Sequence, residues 1–155
     1  MRRRSADRRK IQPDSRYNSV EVQSFINRVM KSGKKSLATR IVYEAFDIIK
    51  EKTEKEPLEI FEKALENTSP RMEVRPRRIG GATYQIPMEV PAYRQFALAT
   101  RWMLASIRAG SGSSFTERLA SELMKAANNE GSAVNKKEEA HRMAKANRAF
   151  SHFRY

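Results

Sequence analysis

Residues 70–90 read PRMEVRPRRIGGATYQIPMEV, and the rest of the chain is best read outward from them. Two short segments of alternating character flank Gly80-Gly81, with Arg71, Arg75, Arg77 and Arg78 gathered near the turn. Alternation on both sides of a glycine pair predicts a β-ribbon. A lone two-stranded ribbon is marginal in water, so a cationic one projecting from a helical body needs a partner. Guanidinium groups match phosphate oxygens with paired N–H donors, which makes nucleic acid the first candidate.

The register of this ribbon can be argued from its pattern. A two-residue Gly80-Gly81 loop would pair Ile79 with Ala82 and Arg75 with Ile86, mixing polar and apolar groups on both faces. An odd-numbered loop pairs Val74 with Met88, Pro76 with Ile86 and Met72 with Val90. Arg75 and Arg77 then share the other face with Gln85 and Pro87. A one-residue slip turns every side chain over, so the cleaner pattern predicts three or five loop residues.

The flanking sequence has helical period. Ser19 N-caps a first helix carrying Val22, Phe25, Ile26, Val29 and Met30, with Gly33 as its stop. A second, from near Ser36, carries Leu37, Ile41, Val42, Ala45, Ile48 and Ile49. Pro57 suits the first turn of a third, with Leu58, Phe61 and Leu65. Pro91 opens a fourth, with Leu98, Trp102, Met103 and Ala105. After the GSGSS stretch at 110–114, Ser114 and Glu117 fit a capping box that starts a fifth. A sixth runs from about Ala133 with a small-residue seam of Ala133, Ala140 and Ala144, and Arg142 and Lys145 point away from it. The expected fold is mainly α: a six-helix, bundle-like body with a protruding two-stranded β-ribbon and basic, flexible N- and C-terminal tails.

Length and charge fit this picture. The 155 residues suggest one domain with a real core. Its parts are a basic tail at 1–18, the ribbon arm at 70–90 and a C-terminal tail at 150–155. The net charge of +13 marks a polyanion binder, and it is segregated. Residues 1–43 hold twelve Lys/Arg against three acids, residues 44–66 four against eight, and residues 67–155 fifteen against seven. A protein lying against a polyanion with its other face to solvent needs such segregation. The tail, with six Lys/Arg in its first ten residues, repels itself and stays mobile until a counter-charge arrives.

Catalysis finds no foothold. The absence of cysteine removes disulfides, thiolate zinc sites and thiol chemistry. His141 and His152 have no ligand set at metal spacing, so neither a metal nor a cofactor is expected. Gly33-Lys34-Lys35-Ser36 lacks the glycine spacing of a phosphate-binding loop, since position 28 is Arg. Glu54, Glu56, Glu59, Glu62 and Glu66 lie among lysines with nothing to desolvate them, which reads as a solvated helical face. No apolar run approaches a membrane span, and the N-terminus lacks the apolar stretch of an export signal. A cytoplasmic protein without enzymatic activity is expected. Tyr84 and Phe153 or Tyr155 sit beside Arg or His in exposed elements, where stacking on bases competes evenly with packing at the ribbon base.

The 70–90 stretch resembles the arm of the S-seven family of small-subunit ribosomal proteins, bacterial type. So do FINRVMKSGKKSLATRIVYEAF at 25–46, RWMLASIR at 101–108 and KKEEAHRMAKANRAFSHFRY at 136–155, in one register. The resemblance implies a single rRNA-binding domain over 1–155 that binds the 3′ major domain of small-subunit rRNA and nucleates head assembly. It also implies a place near exit-site tRNA and mRNA, beside neighbouring head and platform proteins. Carried over, the rRNA contacts are Arg2, Arg3, Arg4, Arg8, Arg9, Lys10, Lys34, Lys35, Arg75, Arg77, Arg78, Arg94, Lys136, Lys137, Arg142 and Arg148. The tip, Ile79, Gly80, Gly81, Ala82 and Thr83, matches the part that reaches toward exit-site tRNA. One departure is the uncharged connection at 109–115, which is often basic in the family. The alternative reading is a DNA-architectural protein whose ribbon, with Pro76 and Pro87, lies in a minor groove.

Overall fold

The computed structural model describes residues 10–154. The chain divides between Arg40 and Ile41 into two compact units. In the first, Asp14 organises a closed turn inside the segment read as tail. Its buried carboxylate accepts from the backbone N–H groups of Arg16, Tyr17 and Ser19. Helix α1, Val20–Val29, follows, with the Ser19 hydroxyl accepting from Val22 N–H. Val22, Phe25, Ile26 and Val29 are its buried stripe. The helix ends at Val29, before the expected Gly33 stop, because Ser32 and Gly33 both take positive φ and form a separate turn. Helix α2, Lys35–Thr53, starts directly after it.

In the second unit, α2 continues with Val42, Ala45, Phe46 and Ile49 buried, and α3, Pro57–Thr68, packs on it through a Phe46–Phe61 ring contact at 5.6 Å. Helices α4, Ala92–Ala109, α5, Phe115–Ala127, and α6, Ser132–Ala146, complete the body with α3. Ser114 and Glu117 form the reciprocal capping box at the start of α5. The Asn67 amide donates to the Ala126 and Ala127 carbonyls, satisfying acceptors that the end of α5 would otherwise leave orphaned. The α6 seam of Ala133, Ala140 and Ala144 is buried, while Arg142 and Lys145 are exposed. Beyond Asn147 the chain forms a 3-10 helix, Arg148–Arg154, that packs on the ribbon.

The ribbon, β1 Met72–Ile79 and β2 Ala82–Glu89, is antiparallel as expected, but its register is the rejected one. Ile79 pairs with Ala82, Arg75 with Ile86, Val74 with Pro87 and Met72 with Glu89. Two local causes outweigh the alternation of side chains. Gly80 and Gly81 have φ of 57° and 89°, the left-handed pair of a two-residue turn whose twist matches the strands. The Val90 N–H to Arg71 carbonyl bond, 3.0 Å, makes Arg71–Val90 a hydrogen-bonded pair. Counting along the ladder then places Pro76 and Pro87 in non-hydrogen-bonded pairs, where a missing N–H costs nothing. At the ribbon base the ladder is diverted. Arg71 N–H donates to His141 Nε2 at 2.9 Å, and the Val90 carbonyl accepts from Gln95 Nε2 at 2.8 Å.

Candidate nucleic-acid interface

Mixed ribbon faces need compensation, and a buried carboxylate provides it. Glu73 accepts from Arg75 Nε at 2.6 Å and from Arg94 Nε at 2.8 Å, both on Oε1, with Oε2 a further 2.9 Å from Arg94 Nε. The Glu73 side chain is 11% exposed, whereas Arg75 and Arg94 are 46% and 37% exposed. An anion lies beneath two cations at the surface. Burial pushes the Glu73 carboxyl up, but hydrogen bonds and charge from Arg94 and Arg75 outweigh it and hold the pKa below its ordinary value. The Glu73 hydrogen bond raises that of Arg94 in turn. Sharing Oε1 keeps the two Nε atoms within 5.4 Å, the sum of 2.6 and 2.8 Å. Neither guanidinium uses an Nη group on a described residue.

Nearer the tip, Arg77 Nη1 donates to the Phe153 carbonyl at 3.0 Å. Tyr84, directly opposite Arg77, has its ring 5.4 Å from both Phe150 and Phe153. Of the two uses open to these aromatics, packing is the one observed for Tyr84 and Phe153; Tyr155 lies outside the described residues. Arg78, Gly80, Gly81, Ala82 and Thr83 are exposed, and Ile79 is half-buried.

On α6, Lys136 and Arg142 are exposed and Lys137 is half-buried; Lys136 also meets Glu139 at 3.3 Å. Arg148 joins Lys145, Met72, Pro87, His141, Ala144 and Ser151 around a concavity of about 400 Å³. Lys145 was not among the expected contacts, although its position away from the alanine seam marked it as available. Glu73 was missed altogether, since a glutamate among arginines reads as solvated charge. His141, half-buried and close to Lys137 and Arg71, has its pKa lowered by partial burial first and by those two cations next, consistent with a neutral ring accepting from Arg71.

In the first unit, Lys10, Lys34 and Lys35 are exposed. Arg2, Arg3, Arg4, Arg8 and Arg9 lie outside the described residues. The uncharged connection before α5 accepts from Arg118 Nη1 at the Ser113 carbonyl, 2.7 Å, so the nearest cation is turned back on it. No group of three potential metal ligands occurs among the described residues, and none of their helices is long and apolar enough to cross a membrane.

What the described residues of the second unit offer is thus a set of guanidinium and ammonium groups on the ribbon, the start of α4, α6 and the 3-10 helix. The family described as Ribosomal protein S7p/S5e matches residues 1–148. The chain is 58% identical over 152 residues to the small ribosomal subunit protein uS7 of Chloroflexus aurantiacus, covering 98% of this chain and 97% of that protein. It is 59% identical over 148 residues to uS7 of Treponema denticola, covering 96% and 95%. Against uS7 of Thermotoga neapolitana it is 57% identical over 155 residues, the full length of both. On that match, the chain belongs to the S7p/S5e family of ribosomal proteins.

Proposed function

We propose that the chain is a non-enzymatic constituent of the small ribosomal subunit in the cytoplasm, binding the 3′ major domain of small-subunit rRNA. In this reading it nucleates assembly of the head, and its ribbon tip reaches toward exit-site tRNA and mRNA. The observation that carries it is the ribbon, where Arg75, Arg77 and Arg78 stand exposed on an element too thin to have a core of its own. Arg75 and Arg77 each spend one donor within the fold, on Glu73 and on the Phe153 carbonyl, and their exposed guanidinium groups keep further donors for a phosphate. Phosphate neutralisation with release of counterions would supply most of the affinity, and the ribbon and tails would supply fit to a folded RNA.

Chemical footprinting of small-subunit rRNA with and without the protein tests this directly. Protections confined to the 3′ major domain are expected; their absence, or protections spread elsewhere, overturns it. Competition separates the DNA-architectural alternative. Unlabelled folded rRNA should displace a labelled 3′ major domain rRNA fragment from the protein at concentrations orders of magnitude below those of duplex DNA.

A further inference from the structure

We propose that Glu73 is a positioning residue that holds Arg75 and Arg94 as one preorganised fork for a single RNA backbone phosphate. This rests on the rRNA-binding reading. Two guanidinium groups from different elements, one of them 21 positions from Glu73, are tethered side-on, through Nε, to one carboxylate. Tethering through Nε leaves the Nη ends available, the ends that give a phosphate two parallel N–H bonds. One anion between two cations leaves the cluster one positive charge in excess, which a phosphate completes. The ribbon ladder fixes Arg75, and the first turn of α4 fixes Arg94, so little ordering remains when the ligand arrives. Beside Arg75, a concavity of about 270 Å³ bordered by Pro76, Arg77, Ile86 and Met88 gives the adjoining sugar an apolar floor.

The decisive variant is Glu73→Gln, because charge and positioning predict opposite signs. It keeps the shape and one acceptor oxygen but removes a negative charge, so a purely electrostatic account has RNA binding tighten. The positioning account has affinity for a 3′ major domain rRNA fragment fall about tenfold. Unchanged or tighter binding overturns the proposal. Should Glu73→Gln fail to fold, Arg94→Lys retains the cation and a donor for Glu73 but lacks the fork. It should bind about tenfold more weakly with the same salt dependence, and wild-type affinity would refute the fork. Nitrogen-15 spectra of the Arg75 and Arg94 side chains during titration with inorganic phosphate make the test independent of RNA. Both resonances should move on one binding curve, and Glu73→Gln should abolish that joint response. If phosphate moves both but the rRNA fragment does not bind, the rRNA reading fails and the phosphate fork stands. If phosphate moves neither, the fork fails whatever the RNA does.

Discussion

The acidic stretch at 44–66 and the cationic ribbon are both dense in charge, yet they use it differently. In α2 and α3 the exposed Glu51, Glu59, Glu62 and Glu66 stand on helices whose opposite faces bury Phe46, Ile49, Phe61 and Leu65. The apolar side holds these elements, and these four carboxylates stand outside it. The ribbon is one layer thick. It is held by a shared carboxylate, an aromatic contact with the C-terminal 3-10 helix and the ladder itself. Charge over a core is solvation; charge on an element without one takes part in holding or binding something.

This contrast breaks first if the core beneath the acidic face is unimportant. Phe61→Ala should cost about 3–5 kcal/mol in urea unfolding, while rRNA affinity of the folded protein stays near wild type. The complementary change, Arg75→Ala with Arg77→Ala and Arg78→Ala, should flatten the slope of log affinity against log salt by about 2–3 units. Equal slopes for this variant and wild type would remove the ribbon from the interface. Turn chemistry comes next. Gly81→Ala puts a side chain at a φ of 89° and should cost about 1–2 kcal/mol, seen as loss of amide-exchange protection along the ribbon. Gly80→Asn should be tolerated, since Asn-Gly suits the same turn.

Smaller effects sharpen the comparison through pH. Unfolded His141 gains a proton as pH falls through 6.5, whereas the folded residue, with its lowered pKa, resists. Stability should therefore decline as pH drops from 6.5 through the folded value, and His141→Gln should remove that part of the decline. Glu73 acts in the same sense at lower pH, its contribution present above 4.5 and lost as pH falls through its own lowered value. Smallest of all, Glu59→Gln with Glu62→Gln should leave the salt slope unchanged and strengthen RNA binding slightly, if at all, because charges more than about 10 Å from the RNA are screened.

Helix starts were legible because their determinants are local: Ser19, Pro57 and the Ser114–Glu117 box each lie within a few residues of the turn they fix. Register was not. Alternation assumes one continuous buried face, whereas these strands are buried in patches by α6, the 3-10 helix and Arg94, all distant in sequence. The Gly80-Gly81 turn and the two prolines held the answer. Exposed cations such as Arg75, Arg77 and Arg78 could be named in advance as candidates, but Glu73 could not, because its partner Arg94 belongs to a different element.

The Arg77–Phe153 bond spans 76 positions, and Tyr84 depends on Phe150 and Phe153 as well. During synthesis the ribbon strands emerge well before the segment that covers them. At roughly 5–20 residues per second, the delay is about 4–15 s. Through that interval a hairpin that is marginal alone waits without its aromatic cover. The nascent chain therefore acquires a fully covered ribbon only after Phe153 has emerged.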